Sequence, residues 1–322
     1  MFRGGRHLLI LRTLFLRISG IKEFPNNKIQ MAKKQCQFNN LVLSGGAFKA
    51  CAFIGCLKVI EEKSMRGTIK NVIASSAGTL IGIMFCAGLN TTEMRALMSK
   101  SMHRYLASEF DVDDIFDIFD NMGIDDGRIF TDMVTEFLLE RFQVPDLTFL
   151  EFTKKTGMNF VVTGSNVSLA KPEYFSVDTT PTMSVVQAIR ISISLPFIMK
   201  PVIYKDMLYV DASLFNNFPV DYFNVQQPFQ DSLALLLSCP FKPPDTNKLN
   251  LLSFTRTLFD AMFERINKKD PQCNIEKNNL VVYMTFPDDN YGFDMDTMKL
   301  TMNDAILDEY IEIGYAKMDT LV

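Results

Sequence analysis

A serine set among small residues between a strand and a helix is a place where an alcohol can be made nucleophilic. Residues 70–79 read Lys-Asn-Val-Ile-Ala-Ser-Ser-Ala-Gly-Thr. The β-type run Asn71–Ala74 meets Ser75-Ser76-Ala77-Gly78, and an apolar helical run, Leu80–Phe85, follows. This is the strand–turn–helix setting of a nucleophile elbow, in which a serine is held on a strained turn with its hydroxyl exposed. Small neighbours are needed because strand and helix pack closely there. Ser76 is the candidate nucleophile, although the usual G-x-S-x-G reads here Ala74-Ser75-Ser76-Ala77-Gly78. An S-x-G also occurs at Ser44-Gly45-Gly46, and an ordinary tight turn of small residues would show the same pattern, so spacing alone does not select Ser76.

Two further segments could complete acyl-transfer chemistry. In Ser44–Ala50, consecutive glycines between a strand and a helix leave backbone N–H groups uncrowded at a helix start, where anions bind. The segment lacks the frame of a Walker A loop. As an oxyanion hole, Gly45, Gly46 and Ala47 would supply the fixed donors that a tetrahedral intermediate needs; a plain glycine turn is the alternative. Asp211 ends the run Leu208–Val210, ahead of Ala212, Ser213 and the pair Asn216-Asn217. It could open a turn, or its carboxylate could reach a serine on a neighbouring strand's elbow. The only histidines are His7, in a basic leader, and His103, in a polar helix over Thr92–Ala107. A zinc site of standard spacing is therefore not expected, and a carboxylate is the alternative to a histidine base.

These residues need a scaffold. Leu41–Leu43 predicts a strand, Lys49–Lys63 a helix, Asn71–Ala74 a second strand and Leu80–Gly88 a second helix. Two strand–helix units in tandem argue for parallel strands with crossover helices. Glu93–Glu140 reads as mostly helical; its acidic cluster, Asp111, Asp113, Asp114, Asp117 and Asp120, lacks the glycine and glutamate of an EF-hand loop and reads as a solvated face. Strands follow at Met158–Thr163 and Glu173–Val177, a helix at Ser184–Ile193, a hairpin at Val202–Lys205 and Met207–Val210, and strands at Ser232–Ser238 and Leu280–Phe286. A proline-bearing loop is expected over Phe241–Lys248, and helices over Leu251–Ile266 and Met298–Met318.

The chain has 322 residues, 48% hydrophobic and 22% charged, with net charge −4. That is ordinary globular composition and gives no nucleic-acid footprint. Six cysteines form no C-x-x-C pair; Cys51, Cys56 and Cys86 lie in apolar helical runs and read as reduced, buried thiols of an intracellular protein. Residues 1–36 form a basic amphipathic extension, with Arg3, Arg6, Arg12 and Arg17 among leucines and no acid before Glu23. Its apolar run is interrupted by Arg12 and is too short to span a bilayer. A membrane-surface helix, an organelle-targeting leader, or an upstream stretch ahead of a second start at Met31 are the readings it allows. The folded domain is expected over 37–322.

The three segments, in their order, resemble the patatin-like phospholipases, lipid acyl hydrolases with a Ser-Asp dyad. The family pattern has a G-G-G-x-[KR]-G oxyanion loop, a G-x-S-x-G elbow and a D-G-[GA] segment. Here these correspond to Gly45–Ala50, Ala74–Gly78 and Asp211-Ala212-Ser213. The runs Cys56–Glu62, Ser192–Phe197 with Pro201-Val202, and Asn216–Val220 are similar as well. Ala47, Ala50, Ala74 and Ala212 stand where the family has glycine, and Ser213 replaces a further small residue. Alanine substitutes cheaply only where φ is negative.

The resemblance implies a three-layer α/β/α fold with a mostly parallel central sheet. It implies that Ser76 attacks a lipid ester, that Asp211 acts as its base, that Gly45, Gly46 and Ala47 hold the oxyanion, and that no metal or other cofactor takes part. Lys49 would meet a lipid phosphate or else be a solvated helix-face lysine. The expected partners are a phospholipid or other acyl-lipid substrate and a membrane surface contacted peripherally, with no nucleic acid. The alternatives on the same fold are a lipid-binding relative without turnover and an acyltransferase.

Overall fold

Short apolar runs bounded by polar or small residues become the strands of one sheet, and the amphipathic runs between them become its covering helices. The computed structural model describes residues 37–108, 121–223, 231–238, 254, 257–258, 261, 279–286 and 303–322. Strand β1 (Asn40–Leu43) leads through a 3-10 turn (Ala47–Cys51) into α1 (Ala52–Glu62), and β2 (Asn71–Ala74) leads into α2 (Gly78–Cys86) and α3 (Thr91–Ala107). Then come β3 (Gly123–Asp125), α4 (Arg128–Phe142), α5 (Phe149–Thr156), β4 (Asn159–Asn166), β5 (Lys171–Phe175) and α6 (Val185–Ser192). The described chain continues with β6 (Phe197–Met199), β7 (Val202–Tyr204), β8 (Met207–Val210), the short α7 (Ser213–Asn216), β9 (Ser232–Ser238), β10 (Leu280–Thr285) and α8 (Asp304–Asp319).

The main sheet has the order β10-β9-β1-β2-β4-β8-β7, with β5 also on β4. From β10 to β4 all neighbours are parallel; β5, β8 and β7 add antiparallel pairs. Alternation along each strand sorts the side chains to two faces. Leu41, Leu43, Val72, Phe160 and Leu233 point into the larger core, which holds α1 and α2; Val42, Ile73, Val161 and Ala234 point the other way, onto Tyr222 and Phe223. This is the expected three-layer α/β/α fold with a mostly parallel sheet, helices lying on both sides. Helix α8 lies hard against α1: a Cβ on Gly55 would stand 1.8 Å from the Ile311 carbonyl oxygen, and one on Gly314 1.8 Å from that of Ala52. Only glycine at both positions allows that approach.

Two expectations change. The helical reading of Glu93–Glu140 is broken at β3, which pairs parallel with β6 as a separate two-stranded sheet. The break has a backbone cause: Met122 and Gly127 have φ of 61° and 74°, outside helical geometry. Helix α5 was not anticipated, although Thr148 and Glu151 form a reciprocal capping box at its start. The N-terminal extension, the acidic cluster over 111–120, the loop over 241–248, most of the helix over 251–266 and the first residues of the C-terminal helix lie outside the described residues.

Candidate active site

Parallel neighbours β1 and β2 end side by side, with Leu43 opposite Ala74, so the glycine turn and the serine turn emerge from the same edge of the sheet. Asp211 arrives from above. Strand β4 pairs with β2 only as far as Val162 but continues to Asn166. β5 occupies one edge of that overhang and leaves the other to β8, whose Tyr209 and Val210 pair with Asn166 and Ser165. Running antiparallel, β8 descends towards the end of β2 and places the next residue, Asp211, at the level of the serine turn. The Ser76 hydroxyl donates to Asp211 Oδ2 at 2.7 Å across 135 residues of sequence.

The turn distinguishes its two serines. Ser75 is fully buried, and its hydroxyl donates to the Asn216 carbonyl at 3.0 Å. Ser76 is half-buried, has φ 49° and faces the carboxylate. A non-glycine residue in the left-handed region is strained, and here it is the residue whose hydroxyl is presented. The Ser76 N–H donates to Ser192 Oγ at 2.9 Å, which fixes the turn from the side of α6. Gly78 must be glycine because a Cβ there would lie 2.5 Å from the Ser44 carbonyl oxygen.

Asp211 is 1% exposed. Burial raises its pKa from the usual 3.8 to about 6, against the lowering effect of bonds from Ser213 and Ser76. Its backbone is anchored too: the Asp211 N–H donates to the Ser194 carbonyl at 2.8 Å and the Ala212 N–H to that of Ser192 at 3.1 Å. The segment Ser192–Ser194 therefore supports Ser76 and Asp211 together.

At the glycine turn the three candidate donors separate. The Gly45 N–H is committed to the Asn217 carbonyl at 3.0 Å. The contribution of Gly45 is space, since a Cβ would sit 2.8 Å from that of Ser76 and 2.3 Å from Asn217 Oδ1. Among the described residues no partner takes the N–H groups of Gly46 or Ala47, so the oxyanion reading rests on these two rather than on Gly45. The Ala77 N–H, next to Ser76, is likewise without a partner among the described residues. Lys49 is not on a solvated face: it is 8% exposed, with Nζ 5.9 Å from the centre of the Phe286 ring.

The four alanines are not equivalent. Ala74 lies within β2, Ala50 in the 3-10 turn and Ala212 at φ −56°, all of which alanine tolerates. Only Ala47, with φ 48°, occupies the left-handed region. Ala47→Gly is therefore expected to stabilise the protein by about 0.5–1 kcal/mol, and Ala74→Gly to destabilise it by about 1 kcal/mol, read as opposite shifts of the urea midpoint.

Sequence reasoning missed Ser192, Asn217 and the committed Gly45 N–H, because each acts across a long separation in sequence, Ser192 through its hydroxyl and the Gly45–Asn217 pair through the backbone. His103 lies on α3 and meets Asp304 Oδ2 at 3.3 Å, so it serves a surface pair between helices; His7 lies outside the described residues. Among the described residues no three of His, Cys, Asp or Glu gather as metal ligands would.

Residues 41–224 match the family model described as patatin-like phospholipase. The chain is 28% identical over 196 residues to the probable lipid hydrolase 463L of Invertebrate iridescent virus 6, covering 61% of this chain and 66% of that protein. It is 27% identical over 199 residues to the uncharacterized protein R571 of Acanthamoeba polyphaga mimivirus, covering 59% and 63%. The match thus spans slightly under two thirds of either relative's length. Among solved structures, VipD from Legionella pneumophila superposes with a TM-score of 0.50 at 13% identity, over 88% of this chain and 66% of its own, a likeness of fold.

Proposed function

The chain belongs to the patatin-like phospholipase family, and on that premise we propose that it is a lipid acyl hydrolase of the phospholipase A type, cleaving carboxylic esters of membrane phospholipids. The observation that carries the reading is the 2.7 Å hydrogen bond from Ser76 Oγ to Asp211 Oδ2. In the proposed mechanism Ser76 attacks the acyl carbonyl while Asp211 accepts its proton. The N–H groups of Gly46 and Ala47, with that of Ala77 beside them, hold the oxyanion. Collapse of the intermediate passes the proton to the leaving alcohol and leaves an acyl-enzyme. Water then attacks, gives a proton to Asp211, and the fatty acid departs as that proton returns to Ser76.

An unperturbed aspartate is a weak base for an alcohol. Burial of Asp211, which raises its pKa to about 6, answers that weakness and supports the assignment. The proposed setting is intracellular, with peripheral contact to a membrane. Among the described residues no helix is long and apolar enough to cross one. Cys51 and Cys56 are buried free thiols whose pKa is pushed up to about 12, so they are inert, as reduced structural cysteines are.

The test is incubation of the purified protein with phosphatidylcholine or mixed anionic phospholipid vesicles, with and without EDTA, and measurement of free fatty acid and lysolipid. Release of both in equal amounts, unchanged by EDTA, is the expected result. Vesicle binding with no release over a day would overturn the hydrolase reading, and transfer of the acyl group to added lysolipid without free acid would replace it by acyl transfer.

A further inference from the structure

The carboxylate of Asp211 has two oxygens, and only one of them faces Ser76. Oδ2 takes the bond from the Ser76 hydroxyl at 2.7 Å. Oδ1 takes two bonds from a single residue, Ser213: one from its N–H at 2.7 Å and one from its hydroxyl. The backbone donor is available to any residue at the start of α7, but the hydroxyl is not. The pattern that this segment resembles has glycine or alanine in this place, which would leave only the backbone donor. We infer that Ser213 is a positioning residue, whose hydroxyl and N–H together clamp Oδ1 of Asp211 so that Oδ2 is the oxygen presented to Ser76.

The physical basis is the softness of the side chain's last torsion. Rotation of an aspartate carboxylate is broad and roughly two-fold, so a buried carboxylate with one weakly held oxygen samples orientations in which neither oxygen lines up with the serine. Two charge-assisted bonds on one oxygen remove that freedom. They also stabilise the ionised form, which opposes the effect of burial. Burial raises the pKa of Asp211, and the groups that oppose it are Ser213 and Ser76, with no charged neighbour acting on it among the described residues, so loss of one hydroxyl is not masked by a nearby charge. The clamp favours the ionised base, against the burial that favours its protonated form.

This inference rests on the hydrolase reading for its consequence in turnover but not for the clamp itself, and the experiment separates them. The full chain is labelled with [γ-¹³C]aspartate, and the Asp211 carboxyl signal, assigned by its absence from Asp211→Asn, is titrated in the parent, Ser213→Ala, Ser213→Gly and Ser213→Thr. Vesicle hydrolysis is followed over the same pH range. Removing the hydroxyl is expected to raise the Asp211 titration midpoint by about one pH unit, the size of one hydrogen bond to a charged group. The acidic limb of hydrolysis should move with it, with a roughly five-fold loss at pH 6 that narrows by pH 8. Threonine, which keeps the hydroxyl, should restore both.

A midpoint that stays put in both the alanine and glycine variants overturns the clamp, whatever the hydrolysis shows. A midpoint that moves while no variant, the parent included, releases fatty acid supports the clamp and overturns the hydrolase reading instead. A loss of activity equal at every pH, with the midpoint unmoved, makes Ser213 a packing residue and also overturns the inference.

Discussion

Ser76→Ala is expected to lower fatty-acid release by about 10⁴-fold or more while leaving vesicle binding nearly unchanged. The size follows from the proposed role: without Oγ there is no acyl-enzyme, and the oxyanion donors and Asp211 can only assist direct attack by water. The backbone need not move, since alanine at φ 49° bears no more strain than serine there. The matching control is its neighbour. Ser75→Ala removes a buried bond to the Asn216 carbonyl, which should destabilise by about 1 kcal/mol and leave the rate within about ten-fold of the parent. A fluorophosphonate probe should label the parent and Ser75→Ala, and spare Ser76→Ala. Labelling that survives Ser76→Ala and is lost in Ser75→Ala would reverse the assignment of the two serines.

The parts of this site that were legible in the sequence are those encoded locally. The elbow is a strand, a run of small residues and an apolar helix in immediate succession, and Asp211 follows a strand at once, so both stood out locally as candidates, and the family resemblance supplied their pairing. The tandem strand–helix units gave the parallel sheet for the same reason. What was not legible depends on residues brought together over long separations. Nothing near Gly45 announces that its N–H is taken by Asn217, or that Ser192, 116 residues from Ser76, holds the turn. The pairing of β3 with β6 is three residues long on each side, too short for any period to show. The alanines were legible as departures but not in their consequences, because the cost of a methyl depends on φ. Ala74, the replacement next to the serines, sits in ordinary strand geometry, whereas Ala47 carries the positive φ.

Asp211→Asn is expected to abolish hydrolysis and, at the same time, to stabilise the protein at neutral pH. The loss of rate, about 10⁴-fold, follows from replacing the proposed base with an amide that cannot accept the serine proton. The gain in stability follows from burial. The folded pKa of about 6 lies above the ordinary 3.8, so between these values the native state binds a proton that the unfolded state has released. For this group, stability is fully present below pH 4 and is lost as pH rises through 6, where the native protein must hold a buried charge. The asparagine variant holds none at any pH. Its advantage over the parent should be near zero at pH 4 and grow to on the order of 2–3 kcal/mol by pH 8, measured as the difference between urea unfolding free energies of the two proteins across that range. The parent's kcat/KM should fall along an acidic limb with a midpoint near 6, the same titration seen through turnover. An asparagine variant that is less stable than the parent at pH 8, or a difference independent of pH, would mean that Asp211 is not a strained buried charge, and the pairing of burial with basicity at this site would fail with it.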